Sequence, residues 1–222
     1  MLHPFFKVSP LKRILSYIVP VTVAYSHGTE NTFLEFILYR NQWQLATEDA
    51  LYSDGNRYEP FRLAFKHIEK QHLATLSSCL ILGTGLGSIA QILCSRYGYK
   101  GHFSLVEIDR TILDWATDQL TTQGIVNISA HCCNAAGFVK EDVKQYDLVC
   151  IDIFQGREVP EVFTELEFLR NARQRLAEGG IWIMNYIIND EKELAAYMRN
   201  IRSVFSVVDV VEKGENRILI CR

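Results

Sequence analysis

The chain has 222 residues, 48% of them hydrophobic, and 26 Asp and Glu against 23 Lys and Arg leave a formal charge of −3. That length supports one full α/β core with a small appendage. The near balance of charge, with no basic stripe interleaved with aromatics, argues against a nucleic-acid partner. The six cysteines, Cys79, Cys94, Cys132, Cys133, Cys150 and Cys221, form no Cys-x-x-Cys pair. They argue against zinc or a disulfide framework and read as small core residues in a reducing, cytoplasmic compartment.

In chain order, Leu11 to Tyr25 is fairly apolar, but Lys12, Arg13, Ser16 and Pro20 interrupt it. It is too short to span a bilayer, and no membrane partner is expected. From Val21 to Leu51 the pattern is of short strands, Val21–Tyr25, Phe33–Tyr39 and Trp43–Ala46, with a hairpin turn at Asn41-Gln42. Asp54-Gly55-Asn56 ends this β appendage, and Phe61, Ala64, Phe65 and Ile68 predict one amphipathic helix over Tyr58–His72.

From Leu73 onward strands and helices alternate. The predicted pairs are strand Leu80–Leu82 with helix Ser88–Tyr97, strand Phe103–Glu107 with helix Arg110–Thr121, and strand Asn127–Cys132 with a short helix near Ala135–Val139. Strand Asp147–Ile153 then leads to helix Pro160–Leu176, and Gly179-Gly180 turns into strand Ile181–Ile187 before helix Glu191–Arg202. Such alternation predicts a parallel sheet covered on both faces. The last segments, Val204–Val211 and Arg217–Cys221, read as a hairpin that sets the final strand antiparallel.

The centre of this series is Cys79–Ser88, an apolar run ending in Gly83, Gly85 and Gly87 and opening a helix. This is the pattern of a strand, a tight turn and a helix start that offers free N–H groups to a nucleotide-like ligand. Taken alone it is equally a turn needing glycine for its backbone. Glu107 adds weight, because it closes the next strand about 20 residues on, where a carboxylate can accept both hydroxyls of a ribose. Ligands of open parallel sheets bind at the carboxyl ends of the strands, where Asn134, Asp152 and Asn185 also stand. Asn134 serves equally as a helix N-cap or an adenine contact. Asp152, in an apolar run, is expected to face the strand-end pocket, since an unpartnered buried carboxylate is costly.

These motifs resemble those of the spermidine synthases and their relatives within the class I S-adenosylmethionine-dependent methyltransferase fold. The resemblance rests on Gly83-Thr84-Gly85-Leu86-Gly87, Val106-Glu107-Ile108-Asp109, Asn134-Ala135 and Ile151-Asp152-Ile153-Phe154-Gln155. The β appendage and Tyr52–Glu59 are similar to the family's N-terminal β-region and joining tyrosine segment. It implies an α/β fold: a doubly wound, mostly parallel Rossmann-like sheet with an antiparallel C-terminal hairpin. Residues 1–72 would form the N-terminal β-region with its joining helix, and residues 73–222 the cofactor-binding domain.

The implied co-substrate is S-adenosylmethionine or decarboxylated S-adenosylmethionine. Gly83, Gly85 and Gly87 would approach its nucleoside sulfonium, Glu107 would hold the ribose and Asn134 the adenine edge. Asp152 would take the position of the catalytic acid, also beside the cofactor, and Tyr58 that of a pocket tyrosine. Two departures bear on the substrate. The family's glycine loop and the segment after its catalytic acid carry acids that pair with ammonium groups, whereas Leu86 and Gln155 stand here.

The expected function is therefore a spermidine-synthase-like transferase with a small-molecule acceptor other than putrescine, with a homodimer left open. Alternatives are a small-molecule methyltransferase, a non-catalytic nucleoside-binding relative and, third among enzymes, an NAD-dependent oxidoreductase. The loop Phe154–Pro160 reads either as a lid or as a plain connection.

Overall fold

The computed structural model describes residues 8–31, 33–47, 50–188 and 190–222. After a one-and-a-half-turn helix α1 (Pro10–Leu15), strands β1 (Val21–Ser26), β2 (Leu34–Tyr39), β3 (Gln42–Ala46) and β4 (Leu51–Ser53) form an antiparallel sheet in sequential order. Alternation sets its buried face: Leu34, Phe36 and Leu38 are fully buried while Glu35, Ile37 and Tyr39 are partly exposed. The β2–β3 turn lies at Arg40-Asn41, both at positive φ, with Tyr39 opposite Gln42. It is one residue earlier than Asn41-Gln42, because a two-residue hairpin needs left-handed backbone at both corners and Gln42 is already paired.

The expected helix over 58–72 is two helices, α2 (Glu59–Lys66) and α3 (Lys70–Thr75). Ile68 and Leu73 both reach the core, yet residues five apart on one straight helix point roughly 140° apart. A break at His67–Glu69 lets both turn inward. The buried side of α2, Phe61, Ala64 and Phe65, shares one apolar cluster with Ile81, Ile89 and Ile218, so this helix packs on the larger sheet.

That sheet comprises β5 (Ser78–Leu82), β6 (His102–Glu107), β7 (Ile128–Cys132), β8 (Tyr146–Ile151), β9 (Leu176–Ile187), β10 (Val208–Lys213) and β11 (Asn216–Cys221). Their order is β10-β11-β9-β8-β5-β6-β7, with β5 to β9 parallel and β11 antiparallel to both neighbours. Helices α4 (Ser88–Ile92), which runs on into a wider turn over Leu93–Tyr97, α5 (Arg110–Thr122), α6 (Ala135–Glu141), α7 (Leu166–Gln174) and α8 (Glu191–Val204) connect the strands. Two apolar clusters, one around Ile81, Leu105 and Cys150 and the other around Leu82, Val149 and Trp182, bury both faces, as continuous apolar strands require.

Several boundaries differ from expectation; the hairpin's first strand, expected from Val204, begins at Val208, since α8 runs on to Val204. The helix predicted over Pro160–Leu176 is a single tight turn at Glu161–Phe163 followed by α7. Phe163 turns in against Phe168 at 5.1 Å, and the Thr164 carbonyl is held by Asn200 Nδ2 at 3.2 Å, which stops the helix extending backwards. Strand β9 begins at Leu176, which pairs with Tyr146, while Leu148 pairs with Ile181. Gly179 and Gly180 thus sit in a bulge within the strand, Gly179 at φ +71°. Among the described residues no helix is long and apolar enough to cross a membrane.

Candidate active site

The strand order reverses at β5, which has β6 on one side and β8 on the other, so a crevice opens at their carboxyl ends. A cavity of about 330 Å³ lies there, within the usual size of small-molecule sites. Gly83 and Gly85, Glu107, Asn134, Asp152 and Tyr58 all line it.

Gly83 and Gly85 have φ of +82° and +50°. A β-carbon at Gly83 would stand 2.2 Å from the Asp152 carbonyl oxygen, and one at Gly85 2.8 Å from that of Tyr52. The loop therefore threads between two backbone segments that only glycine can pass. Gly87 stands apart from the cavity, and its Cα faces the Leu120 side chain where it opens α4. Leu86 also points away: it is fully buried in an apolar cluster with Phe36, Leu38, Ile112 and Trp115, which joins the small sheet to α5. The expected neutral replacement of a ligand-facing acid is here a core residue.

Glu107 closes β6 and lies half-buried at the cavity wall. Its carboxylate accepts N–H bonds from Thr84 at 3.0 Å, Ile108 at 3.0 Å and Asp109 at 3.2 Å. Burial raises its carboxyl above the ordinary range, with the Asp109 and Thr84 N–H groups opposing. Asn134 caps α6 by accepting from Ala136 N at 2.9 Å and Gly137 N at 3.3 Å while its residue also borders the cavity. The N-cap reading holds, and the cap leaves the residue on the cavity wall.

At the opposite wall Tyr58 Oη donates to Asp152 Oδ1 at 3.1 Å, and Asn185 Nδ2 donates to the same oxygen at 3.1 Å. These three residues are distant in sequence: Tyr58 precedes α2, Asp152 follows β8 and Asn185 lies in β9, 1% exposed. Burial pushes the Asp152 carboxyl up to about 7, although the Asn185 and Tyr58 donors pull it down. Burial, reinforced by the adjacent Asp152, drives the Tyr58 phenol well above its ordinary value. A carboxyl group poised near neutrality is suited to accept a proton.

Sequence reasoning passed over the loop before β2. Asp109, fully buried, caps α5 and also accepts from Thr29 N, Glu30 N and Asn31 N, each at 3.1 Å, and from Asn31 Nδ2 at 2.9 Å. Burial alone would raise this carboxyl, but the donors from Asn31, Glu30 and Thr29 outweigh it and hold it low. The clamp seats Glu30 and Asn31 on the cavity wall. Their only sequence signal was the N-cap Asp109 itself, since the contact spans about 80 residues. Among the described residues no His, Cys, Asp or Glu group could hold a metal.

A mostly parallel sheet of this order, with one strand antiparallel and a strand-end cavity, is that of the class I methyltransferase fold, as the structural neighbours below show. The model of the family described as spermine/spermidine synthase domain matches residues 64–212, and the chain belongs to that family. A polyamine aminopropyltransferase of Vibrio vulnificus is 27% identical over 147 residues, 64% of this chain and 48% of that protein. The chain thus spans about half the length of that curated relative. A probable spermidine synthase from Corynebacterium glutamicum superposes with a TM-score of 0.69 at 17% identity, covering 89% of this chain and 79% of that one. Human methyltransferase-like protein 13, solved in complex with SAH, superposes with a TM-score of 0.62 at 21% identity, over 75% of this chain and 81% of that one.

Proposed function

We propose that the chain is a transferase that uses S-adenosylmethionine or its decarboxylated relative to alkylate an acceptor other than putrescine. The observation that carries the reading is the Tyr58–Asp152–Asn185 cluster at one wall of the cavity whose other wall holds Glu107. The residues suit such a donor: the half-buried Glu107 carboxylate for the ribose hydroxyls, Asn134 at the adenine edge, and the backbone of Gly83 and Gly85, with Gly87 opening the helix behind them. When bound, the S-adenosyl compound supplies a carbon made electrophilic by the sulfonium sulfur. Asp152 accepts the proton of the attacking amine, and Tyr58 and Asn185 hold its carboxylate in position.

Methyl transfer is the second reading. It is favoured by Leu86 lying in the core, which leaves the glycine loop without a carboxylate for an aminopropyl ammonium. Each donor should be supplied separately with putrescine and with a panel of other amines, and the products weighed by mass spectrometry. A transferred methyl or aminopropyl group that depends on Asp152, with no spermidine from putrescine, is the expected result. Robust spermidine formation would overturn the acceptor assignment, and failure of every adenosyl compound to bind would overturn the transferase reading.

A further inference from the structure

Helix α1 is turned inside out. Leu11, Ile14, Leu15 and Ile18 recur at the spacing of one helical face, and Tyr17, Ile18 and Val19 donate back to the Ile14 and Leu15 carbonyls, which carries that face past the helix end. A surface helix normally presses such a stripe on the core. These four residues are instead 75%, 66%, 45% and 75% exposed, and no residue of α1 is buried. The side turned to the protein is the polar one. Ser16, fully buried, accepts from Asn41 N through Oγ at 3.1 Å and from Arg40 N through its carbonyl at 2.7 Å, and Arg13 Nη1 donates to Asn41 Oδ1 at 2.9 Å. These bonds pin the helix to the β2–β3 turn with its apolar face outward. Tyr17 and Val19, also exposed, widen the ledge.

The charge around the ledge has one sign. Before Glu30 the chain carries Lys7, Lys12 and Arg13 and no Asp or Glu, in a protein of formal charge −3. Lys12 and Arg13 flank the stripe, and Arg40 joins them from the turn on which α1 rests. Among the described residues none of Lys12, Arg13 and Arg40 has a carboxylate within ion-pair distance. An apolar face rimmed by unpaired cations is complementary to a surface that is negative outside and apolar beneath.

We propose that α1 and the turn after it lie on the surface of an anionic lipid bilayer. Leu11, Ile14, Leu15 and Ile18 enter the acyl boundary, Tyr17 sits at the headgroup level, and Lys12, Arg13 and Arg40 meet the phosphate groups. The segment is too short to span, but a helix lying in the interface needs no spanning length, and long cationic side chains reach the headgroups from beside an apolar stripe. A second copy of the chain is the rival occupant. A two-fold contact would set the patch against itself and bring both sets of Lys12, Arg13 and Arg40 together, where like charges repel. The membrane contact is independent of what the strand-end cavity binds.

The test sediments the whole chain with vesicles of phosphatidylcholine alone and with vesicles in which about a third of the lipid is phosphatidylglycerol, at low and at physiological salt. Binding should be on the order of 10- to 100-fold tighter to the anionic vesicles, and should weaken as salt rises. Leu11→Gln combined with Ile18→Gln removes apolar surface and should abolish binding although every cation remains. Lys12→Gln combined with Arg40→Gln keeps the Arg13–Asn41 bond and should remove most of the preference for anionic lipid. All four positions are exposed, so both variants should unfold at the wild-type temperature. Early unfolding of the Leu11→Gln, Ile18→Gln variant would show the stripe to be packed on the chain itself and overturn the inference. Equal binding to the two lipids, no binding, or binding that survives the loss of Leu11 and Ile18 would also overturn it. So would a concentration-dependent dimer in analytical ultracentrifugation that the same two substitutions dissolve, because a second copy would then cover the ledge.

Discussion

Asp152 should make the folded chain less stable than it need be, and Asp152→Asn should reveal by how much. The carboxyl group titrates near 7 in the folded protein against an ordinary value of 3.8, chiefly through burial. The folded state therefore holds a proton that the unfolded chain has released across roughly three pH units, and stability falls as pH rises through that window. At about 1.36 kcal/mol per unit the ceiling is on the order of 4 kcal/mol, and the partial contact of the carboxylate with cavity water brings the expectation to about 2–4 kcal/mol. An Asn carbonyl at the same place can still accept from Tyr58 and Asn185. The variant should thus unfold roughly 5–10 °C above the wild type at pH 8.5, and the gain should shrink towards pH 4.5. Calorimetric scans at pH 4.5, 6.5 and 8.5 in matched buffers decide it. A gain that is absent, or the same at all three pH values, would refute the desolvation argument. In activity the same titration should appear as a rate that rises with pH through about 7, because only the ionised carboxylate can accept the proton.

Glu107→Gln should weaken binding of an adenosyl compound by roughly 10- to 100-fold, the scale of a lost charged hydrogen-bond partner; unchanged affinity by calorimetry would remove the ribose assignment. Leu86→Asp, the change that would recreate an acid in the glycine loop, should instead cost about 3–5 kcal/mol in denaturant unfolding, because its carboxylate would lie unpaired among Phe36, Leu38 and Trp115. A stable variant that gains affinity for a cationic donor would contradict the buried placement of Leu86. Hydrogen exchange over residues 154–159 should slow when donor and acceptor analogue are both bound, since Phe154 borders the cavity and Gly156 N donates to Tyr52 Oη at 3.1 Å. Unaltered exchange with both ligands bound would make the segment a plain connection.

The sequence alone determined the alternation of strands and helices, the terminal hairpin and the polar residues at the strand ends. These are local patterns: continuous apolar runs bury both faces of a strand, and glycines, Asp109 and Asn134 mark turns and helix starts within a few residues of their effect. The break between α2 and α3 and the bulge in β9 answered to packing that no local pattern carries. So did the direction of side chains: Leu86 turned into the seam beneath the small sheet, although its place in a glycine loop suggested a ligand contact. Only the tertiary structure joined Tyr58, Asp152 and Asn185 through one carboxylate oxygen, and only it drew Glu30 and Asn31 onto the cavity through Asp109. The physical reason is range. Backbone preference acts between neighbours along the chain, whereas the desolvation of Asp152 and its donors depends on segments some 30 to 90 residues away, which meet only when the sheet closes its order around β5.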